Sequence, residues 1–270
     1  MTSTVVSPIN GFAFCVADSD WSTDFKKRIR FHEPGVNKKL KHIMQQAPAH
    51  SVVVDAGAHV GDTGLLLASM MKLRGIPGRV IEIDPDPSKL FFITETARAS
   101  GLSDYVETIH AGLGETYSSG TLDRGQHAGA WHVIEGSDFE IRPLDDIMKD
   151  RAVPFLIKLD VEGFETFAVR GARQTITRAR FLMIEVVEHQ LRRKGSTVRQ
   201  LHTAIRSCAM KRIWRSLRDE LYAHDTTASP TIDAVAAWSD ADMTTWTLLI
   251  VSSALIAYTS ARRLKMFKTK

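Results

Sequence analysis

The chain has 270 residues, of which 44% are hydrophobic, with two cysteines and a net charge of +4. A chain of this length buries about 70% of the surface that it exposes when unfolded, so its core needs no disulfide or metal staple. The composition excludes an intrinsically disordered chain, and the length fits one large α/β domain, alone or with an appended segment.

Strand and helix signals alternate from about residue 37 to residue 190, a pattern typical of a mostly parallel sheet with helices on both faces. Strands are predicted at residues 51–54, 79–83, 105–110, 155–159 and 181–187. Helices are predicted at residues 37–46, 65–71, 88–99, 164–169 (interrupted by Gly171) and 198–208, with a break near Met210. Residues 111–136 are rich in glycine and weakly periodic, which predicts a loop over the site.

The two ends of the chain give different expectations. The first 21 residues lack the basic stretch and apolar run of a secretory signal, so we expect a cytosolic catalytic domain. Residues 244–260 carry no charge and precede a basic tail, which favours a C-terminal transmembrane anchor; a buried final strand at 247–253 is the alternative. We therefore divide the chain into an N-terminal extension (1–36), a catalytic domain (37–243) and a C-terminal segment (244–270).

The cysteines and the basic residues indicate little about partners. Cys15 and Cys208 lie far apart and outside any metal-binding or CxxC spacing, so we expect free thiols in a reducing compartment. Basic residues gather over 26–41 and 192–218. Such runs usually form solvated helix faces, but nucleic acid, an anionic membrane surface or an acidic substrate stays open as a partner.

The first motif, DAGAHVG (residues 55–61), follows a predicted strand and precedes a predicted helix. Glycines at such a turn let the backbone approach a ligand, and the start of the helix offers unpaired N–H groups. The motif therefore predicts a nucleotide-binding crevice, because strand, turn and helix fall where such a crevice requires them.

The second motif, EIDPDP (residues 82–87), ends the next strand. An acidic side chain at a strand tip can accept both hydroxyls of an adenosine ribose; Asp84 stands at the tip, and Glu82 lies deeper. That ribose occurs in both NAD and S-adenosylmethionine (SAM). The first turn lacks the G-x-G-x-x-G spacing that admits a pyrophosphate, and its acid suits the ammonium of a methionine, so the two motifs favour SAM.

The third motif, IKLDVEGFE (residues 157–165), ends the fourth predicted strand. Open α/β sheets bind ligands beyond the carboxyl ends of their strands, so Asp160 and Glu162 should face the same crevice. Charges are costly there unless they are paired or used. We expect one of the two to position the acceptor or to act as general base on a hydroxyl; a structural ion-pair cluster around Lys158 is the alternative.

Together these motifs resemble those of the FkbM family of methyltransferases. The segments that carry the resemblance are VVVDAGAHVG (52–61), IEIDPDPSKL (81–90), RPLDD (142–146), IKLDVEGFETFAVRGA (157–172) and FLMIEVVEH (181–189). They lie in order over about residues 50 to 190, and the IKLDVEGFE block is the most specific. The chain from about residue 191 onward has no resemblance that we can assign.

The resemblance implies a Rossmann-like SAM methyltransferase fold with a mostly parallel seven-stranded sheet. It also implies SAM as cofactor and methyl transfer to oxygen, typically on sugars, lipids or natural products. Carried over to this sequence, Asp55, Gly57 and Gly61 line the methionine end, and Asp84 binds the ribose. Two positions depart from the family pattern: His59 stands where a small or amide residue is common, and Asp84 replaces the usual glutamate.

The candidate site extends beyond the motif residues. The candidate cofactor-binding residues are Asp55, Gly57, His59, Gly61, Asp84, Pro85, Ala111 and Gly112, and the candidate catalytic residues are Lys158, Asp160, Glu162 and His189. His189 is a possible general base or merely a polar strand end, and Trp131 and His132 are possible acceptor contacts. A metal near Asp160 stays open, although no His/Cys spacing predicts zinc.

Three other functions stay open for this chain. They are a nucleic-acid methyltransferase that uses the basic runs, an NAD-dependent oxidoreductase, and a non-catalytic scaffold anchored to a membrane. The turn spacing disfavours the oxidoreductase, and the intact first and second motifs count against the scaffold. The expected partner is a small-molecule or glycan acceptor.

Overall fold

The computed structural model describes residues 2–123 and 132–224. Its elements, in chain order, are β1 (Thr2–Val6), β2 (Ala13–Ala17), α1 (Ser22–Phe31), α2 (Pro34–Met44), β3 (Ser51–Ala56), α3 (Asp62–Leu73), β4 (Gly78–Asp84), α4 (Pro87–Ala99), a 3-10 turn (Ser103–Tyr105), β5 (Val106–His110), β6 (Gly112–Leu113), β7 (Ser118–Asp123), β8 (His132–Glu135), β9 (Phe139–Arg142), α5 (Leu144–Ile147), β10 (Pro154–Leu159), α6 (Glu165–Arg170), α7 (Arg173–Arg178), β11 (Phe181–Glu185), α8 (Glu188–Arg193), α9 (Val198–Ser207), β12 (Met210–Arg215) and β13 (Asp219–His224).

The main sheet has seven strands in the order β12-β13-β11-β10-β3-β4-β5. Strands β3, β4, β5, β10 and β11 are parallel, whereas β13 runs antiparallel to both β11 and β12. From the central strand β3 the chain continues to β4 and β5 at one edge, and from β10 it continues to β11 and then to β12 and β13 at the other edge. Because such crossovers are right-handed, their helices cover opposite faces of the sheet. The predicted mostly parallel, seven-stranded α/β sheet is confirmed.

Helix α3 is buried almost all round, which explains its run of apolar residues. One side packs on β4, and α1 and α2 cover the other side. The N-terminal segment therefore belongs to the same core. Phe25 of α1 is fully buried, with its ring centroid 5.6 Å from that of Phe14 and 5.8 Å from that of Phe92.

The predicted loop at residues 111–136 is wrong. Strands β6, β7, β8 and β9 form a second sheet in the order β6-β9-β7-β8, with residues 124–131, including Trp131, outside the described residues. Buried Gly120 of β7 leaves space for the rings and methyl groups of Phe139 and Val133. These strands are short and pair with distant partners, so local periodicity gave no sign of them.

The predicted helix at residues 198–208 is α9, and the change of phase near Met210 marks the start of β12. All seven strands of the main sheet lie between Ser51 and His224. The segment at 244–270, expected as an anchor or a final strand, lies outside the described residues. Within the described ranges no helix is long and apolar enough to cross a membrane. Cys15 and Cys208 are free, as predicted.

A glycine fixes the approach of α6 to the second sheet. A methyl group on Gly171 would lie 1.9 Å from the carbonyl oxygen of Gly114. Gly171→Ala is therefore expected to lower the free energy of unfolding by about 1–3 kcal/mol, because two backbone segments must separate. Urea denaturation followed by circular dichroism measures the change.

The matched control for this prediction is Gly35→Ala in α2. A methyl group there meets no atom within 4 Å. The control should leave the free energy of unfolding unchanged or slightly higher, because alanine has less conformational freedom in the unfolded chain. Equal stabilities for the two variants would contradict the proposed backbone clash.

Candidate active site

A cleft opens at the carboxyl ends of β3, β4 and β10. The predicted site residues that line it are Gly57, His59, Asp84, Pro85, Ala111, Gly112, Asp160 and Glu162. The second sheet adds an apolar wall of Leu122, Val133 and Ile141, and Arg28 reaches it from α1. An apolar wall with a few convergent polar side chains is typical of a small-molecule site.

The turn after β3 needs glycine at its first bend. Gly57 has a φ of 82°, and a methyl group on it would lie 1.7 Å from the carbonyl oxygen of Asp160. The N–H groups of Gly57 and Ala58 donate to the carbonyl of Ile83 at 2.9 and 3.1 Å, which ties the turn to β4. The turns after β3 and β10 therefore meet backbone to backbone. Gly61 begins α3 beside Ile93 and does not line the cleft.

Asp84 connects two parts of the cleft wall. Its carboxylate accepts the N–H of His59 and the N–H of Asp86, each at 2.8 Å. Asp86 in turn accepts the N–H of Ser88 at 2.9 Å and caps α4, with Pro87 in the first turn. Burial raises the pKa of Asp84. The carboxylate thus lies at the strand tip, within the cleft lining, and is fixed by two backbone donors.

Asp55 lies beneath the glycine turn and outside the cleft lining. It is 1% exposed and stands opposite Glu82 in the pairing of β3 with β4. Burial raises the pKa of Asp55 to about 6, although Lys158 opposes the shift. Burial and the neighbouring Asp55 raise the pKa of Glu82 well above its usual range. Asp55, which we expected at the methionine end of the cofactor, is therefore buried behind the residues that line the cleft.

Lys158 lies behind the cleft as a counter-ion. Its Nζ is 3.3 Å from Asp160 Oδ2 and 3.8 Å from Asp55 Oδ1. Burial disfavours the ammonium, but the two carboxylates outweigh burial and raise the pKa of Lys158. The ammonium therefore stays charged, which matches the ion-pair alternative for this residue.

Glu162 faces the cleft from a strained turn. Its φ is 52°, a left-handed conformation that is uncommon for residues other than glycine. The buried Glu165 carboxylate holds the turn by accepting the N–H groups of Val161 and Gly163, each at 3.1 Å. Gln190 of α8 donates to the Glu162 carboxylate. Burial and the charge of Asp160 raise the pKa of Glu162 to about 7, the range that suits a general base.

Some residues at or near the cleft were not predicted. Arg28 comes from the N-terminal extension; it lies within the basic run at 26–41, but that run did not indicate which of its residues reaches the site. Lys89 lines the cleft from α4 and lies within the quoted segment 81–90. Glu185 ends β11 beside β10 and pairs with Arg218 at 2.7 Å; the strand-end argument used for Asp160 applies to it as well.

His189, by contrast, is exposed on α8 and does not line the cleft. Residues 2–123 and 132–224 contain no group of three or more His, Cys, Asp or Glu side chains arranged to hold a metal ion. The structure therefore brings together the glycine turn, the tip of β4 and the turn after β10. His189 is not part of this group.

The family model described as the methyltransferase FkbM domain matches residues 55–212. A methyltransferase FkbM from Methylobacillus flagellatus KT is similar at 20% identity, with a TM-score of 0.46 over 76% of this chain and 61% of that chain. The chain thus spans less than two thirds of that protein.

Two further solved structures show a similar likeness. An O-methyltransferase from Bacillus cereus in complex with SAH has 12% identity and a TM-score of 0.43, over 71% of this chain and 81% of that chain. An rRNA methylase from Streptococcus thermophilus has 12% identity and a TM-score of 0.44, over 71% of this chain and 96% of that chain. Comparison with curated proteins gave no match.

The pKa of Glu162 offers a direct test of the site's electrostatics. We expect its carboxyl to titrate near pH 7 and Asp160→Asn to lower that pKa, because the variant removes a nearby like charge. Arg218→Met should raise the pKa, because it removes a favourable cation. Carbon-13 NMR of labelled glutamate side chains measures the titration, with Glu162→Gln assigning the signal.

Asp145→Asn is the control for this titration. The Asp145 carboxylate accepts the N–H groups of Gln174 and Thr175 at the start of α7 and does not line the cleft. The control should leave the pKa of Glu162 unchanged. A wild-type titration near the ordinary value of 4.5 would contradict the burial argument.

Proposed function

Because the chain belongs to the FkbM family of methyltransferases, we propose that its cleft holds SAM beside the hydroxyl of a sugar, lipid or small metabolite and that the protein is an O-methyltransferase. Methyl transfer from SAM, the acceptor and the roles of individual residues are all part of this proposal, which the family membership supports. The observation that carries it is the meeting of Gly57, Asp84, Asp160 and Glu162 in one cleft.

The residues present fit an adenosyl ligand. Gly57 lines the cleft in the turn after β3, and Asp84 offers a carboxylate at the strand tip for ribose hydroxyls. Both ring nitrogens of His59 lack a hydrogen-bond partner in the described part of the chain. Burial, with Lys89 and Arg28 nearby, lowers the pKa of His59 to about 4, so a neutral ring offers one donor and one acceptor to a ligand.

When bound, SAM would supply a methyl group on a positively charged sulfur, and that sulfur would keep the electron pair of the S–C bond as the acceptor oxygen bonds to the methyl carbon. The chain must align the acceptor and take the hydroxyl proton. Glu162 accepts that proton, and Gln190 and the turn around Glu165 hold its carboxylate. Asp160, paired with Lys158, orients the hydroxyl by accepting a hydrogen bond.

The lining of the cleft and the charges near it bear on the class of acceptor. The second sheet supplies an apolar wall of the cleft. The basic run at 192–218 is partly neutralised by ion pairs: Arg192 with Glu188, Arg212 with Glu220 and Arg218 with Glu185. These pairs support a sugar, lipid or small-metabolite acceptor over nucleic acid.

Calorimetric titration of S-adenosylhomocysteine into the full chain tests the cofactor site. We expect micromolar binding, and none for NAD. Asp84→Asn should weaken the binding about 10- to 100-fold, because it removes a charged acceptor of ribose hydrogen bonds. Asp104→Asn, at an exposed position, should bind as the wild type does. Binding of NAD in place of S-adenosylhomocysteine would overturn the proposal.

Methyl transfer to a panel of glycosides, lipids and small hydroxyl metabolites tests the reaction, with a radiolabelled methyl group as readout. For the acceptor so found, Glu162→Gln should lower kcat by about 10²- to 10⁴-fold, because the variant cannot take the hydroxyl proton. Asp160→Asn should also lower kcat. Both variants should bind S-adenosylhomocysteine nearly as well as the wild type.

The pH profile separates the role of Glu162 from a structural one. The base must be deprotonated, so kcat/KM of the wild type should rise with pH and level off above about 7. Glu162→Gln should lack that rise. Glu140→Gln, on the exposed side of β9, should keep it. A Glu162→Gln variant with the wild-type kcat and pH profile would remove Glu162 from the mechanism.

A further inference from the structure

Helix α1 supplies a cleft residue from outside the part of the chain that matches the family. The match begins at residue 55, whereas α1 covers Ser22–Phe31. Arg28 of this helix nevertheless lines the cleft together with Gly57 and His59. The site is therefore completed by the N-terminal extension.

A set of polar contacts, here named the α1 clasp, fixes Arg28 against the glycine turn. Asp24 Oδ2 lies 3.6 Å from His59 Nδ1, and His32 Nδ1 lies 3.5 Å from Asp62 Oδ2 at the start of α3. Arg28 Nε donates to Asp24 at 3.2 Å, and its Nη1 contacts the ring of His32. The guanidinium is thus held beside the turn at residues 57–62.

Arg28 keeps donors available for a ligand. A guanidinium carries five N–H donors, and the Nη2 group of Arg28 makes no hydrogen bond to any residue in the described ranges. The charges of Asp62 and Asp24 outweigh the effect of burial and raise the pKa of Arg28, so the cation stays charged. A charged planar fork at a partly buried position suits a carboxylate.

Two lysine or arginine side chains line the cleft among the described residues, Arg28 and Lys89. Lys89 lies near Asp84 and Asp86, at the proposed ribose end, and its ammonium is 5.4 Å from the ring of Trp21. Both cations lie near His59, but the carboxylates that act most strongly on Arg28 are Asp62 and Asp24, and its guanidinium is held beside the glycine turn. A carboxylate held near that turn therefore has Arg28 as its cationic partner.

We propose that Arg28 binds the α-carboxylate of the methionine moiety of SAM, as a positioning residue supplied by the N-terminal helix. This inference rests on the proposed cofactor site. Under this proposal, helix α1 (residues 22–31) is part of the cofactor-binding site. Arg28 acts on the end of the cofactor remote from the ribose, so its removal should affect only ligands that carry the carboxylate.

Two ligands that differ in one group test this assignment in the full chain. S-adenosylhomocysteine carries the carboxylate, and decarboxylated S-adenosylhomocysteine keeps the adenosine, thioether and ammonium but lacks it. Arg28→Met should weaken the binding of the first about 10- to 100-fold in calorimetry and leave the second nearly unchanged. The wild type should bind the decarboxylated ligand about as weakly as the variant binds S-adenosylhomocysteine.

Arg30→Met is the matched control, because Arg30 lies on the same helix but is exposed and outside the cleft lining. It should bind both ligands as the wild type does. Thermal unfolding of Arg28→Met, followed by circular dichroism, checks that α1 and the core remain folded. A selective loss for the carboxylate ligand alone supports the assignment.

Three outcomes would overturn it. Equal weakening of both ligands by Arg28→Met would mean that Arg28 shapes the turn and does not bind the carboxylate. Unchanged binding of both ligands would mean that Arg28 serves another group, such as the acceptor. If the wild type bound neither ligand, the proposed cofactor site itself would be wrong. That result differs from the first two outcomes, because both of those require that the wild type binds S-adenosylhomocysteine.

Discussion

The ammonium of Lys158 lies between two carboxylates at the carboxyl end of the sheet, and the rest of the site is arranged around it. Its partners are Asp160 at 3.3 Å and Asp55 at 3.8 Å, and Asp55 in turn stands opposite Glu82 on β4. Without this cation, three acidic groups would share one buried region. Removing one partner of a buried pair costs about 3–5 kcal/mol, whereas a well-packed apolar replacement of the whole pair is often neutral. We infer that the cluster holds β3, β4 and β10 in one arrangement beneath the cleft.

Above this cluster, hydrogen bonds and close backbone contacts connect the three turns. Gly57 lets the turn after β3 contact the carbonyl of Asp160, and Asp84 accepts the N–H of His59 from that same turn. Glu165 holds the turn after β10 in the conformation that presents Glu162. The groups assigned to the cofactor and to the acceptor proton therefore occupy fixed positions relative to one another. Methyl transfer depends on such alignment, because the chemistry of the methyl group belongs to the cofactor.

The sequence was most informative where local pattern and tertiary position coincide. The buried β-branched run of β3 and the acids at strand ends follow from period and chain order, so the sheet and most of the cleft were predicted. The second sheet was not, because its pairing depends on distant contacts such as that of Gly120 with Phe139. The burial of Asp55 opposite Glu82 could not be predicted, because it depends on how β3 and β4 pair in the folded sheet. Arg28 was missed because the α1 clasp forms only after α1 packs on α3.

Stability and catalysis make opposite demands on the carboxyl groups of this site. Burial raises the pKa of Asp55 to about 6 and the pKa values of Glu162 and Glu165 to about 7, from ordinary values of 3.8 and 4.5. The folded chain therefore binds more protons than the unfolded chain between about pH 4 and 7, and the stability that these groups contribute is lost as pH rises through that window. The proposed base works only on the deprotonated side of it. The site thus operates where its own carboxyl groups have become unfavourable to the fold, and the strained backbone of Glu162 adds to that cost. The ammonium of Lys158 and the hydrogen bonds to Asp84 and Glu165 offset part of the free-energy cost of these buried carboxyl groups. Most polar contacts described near the cleft therefore involve charged side chains.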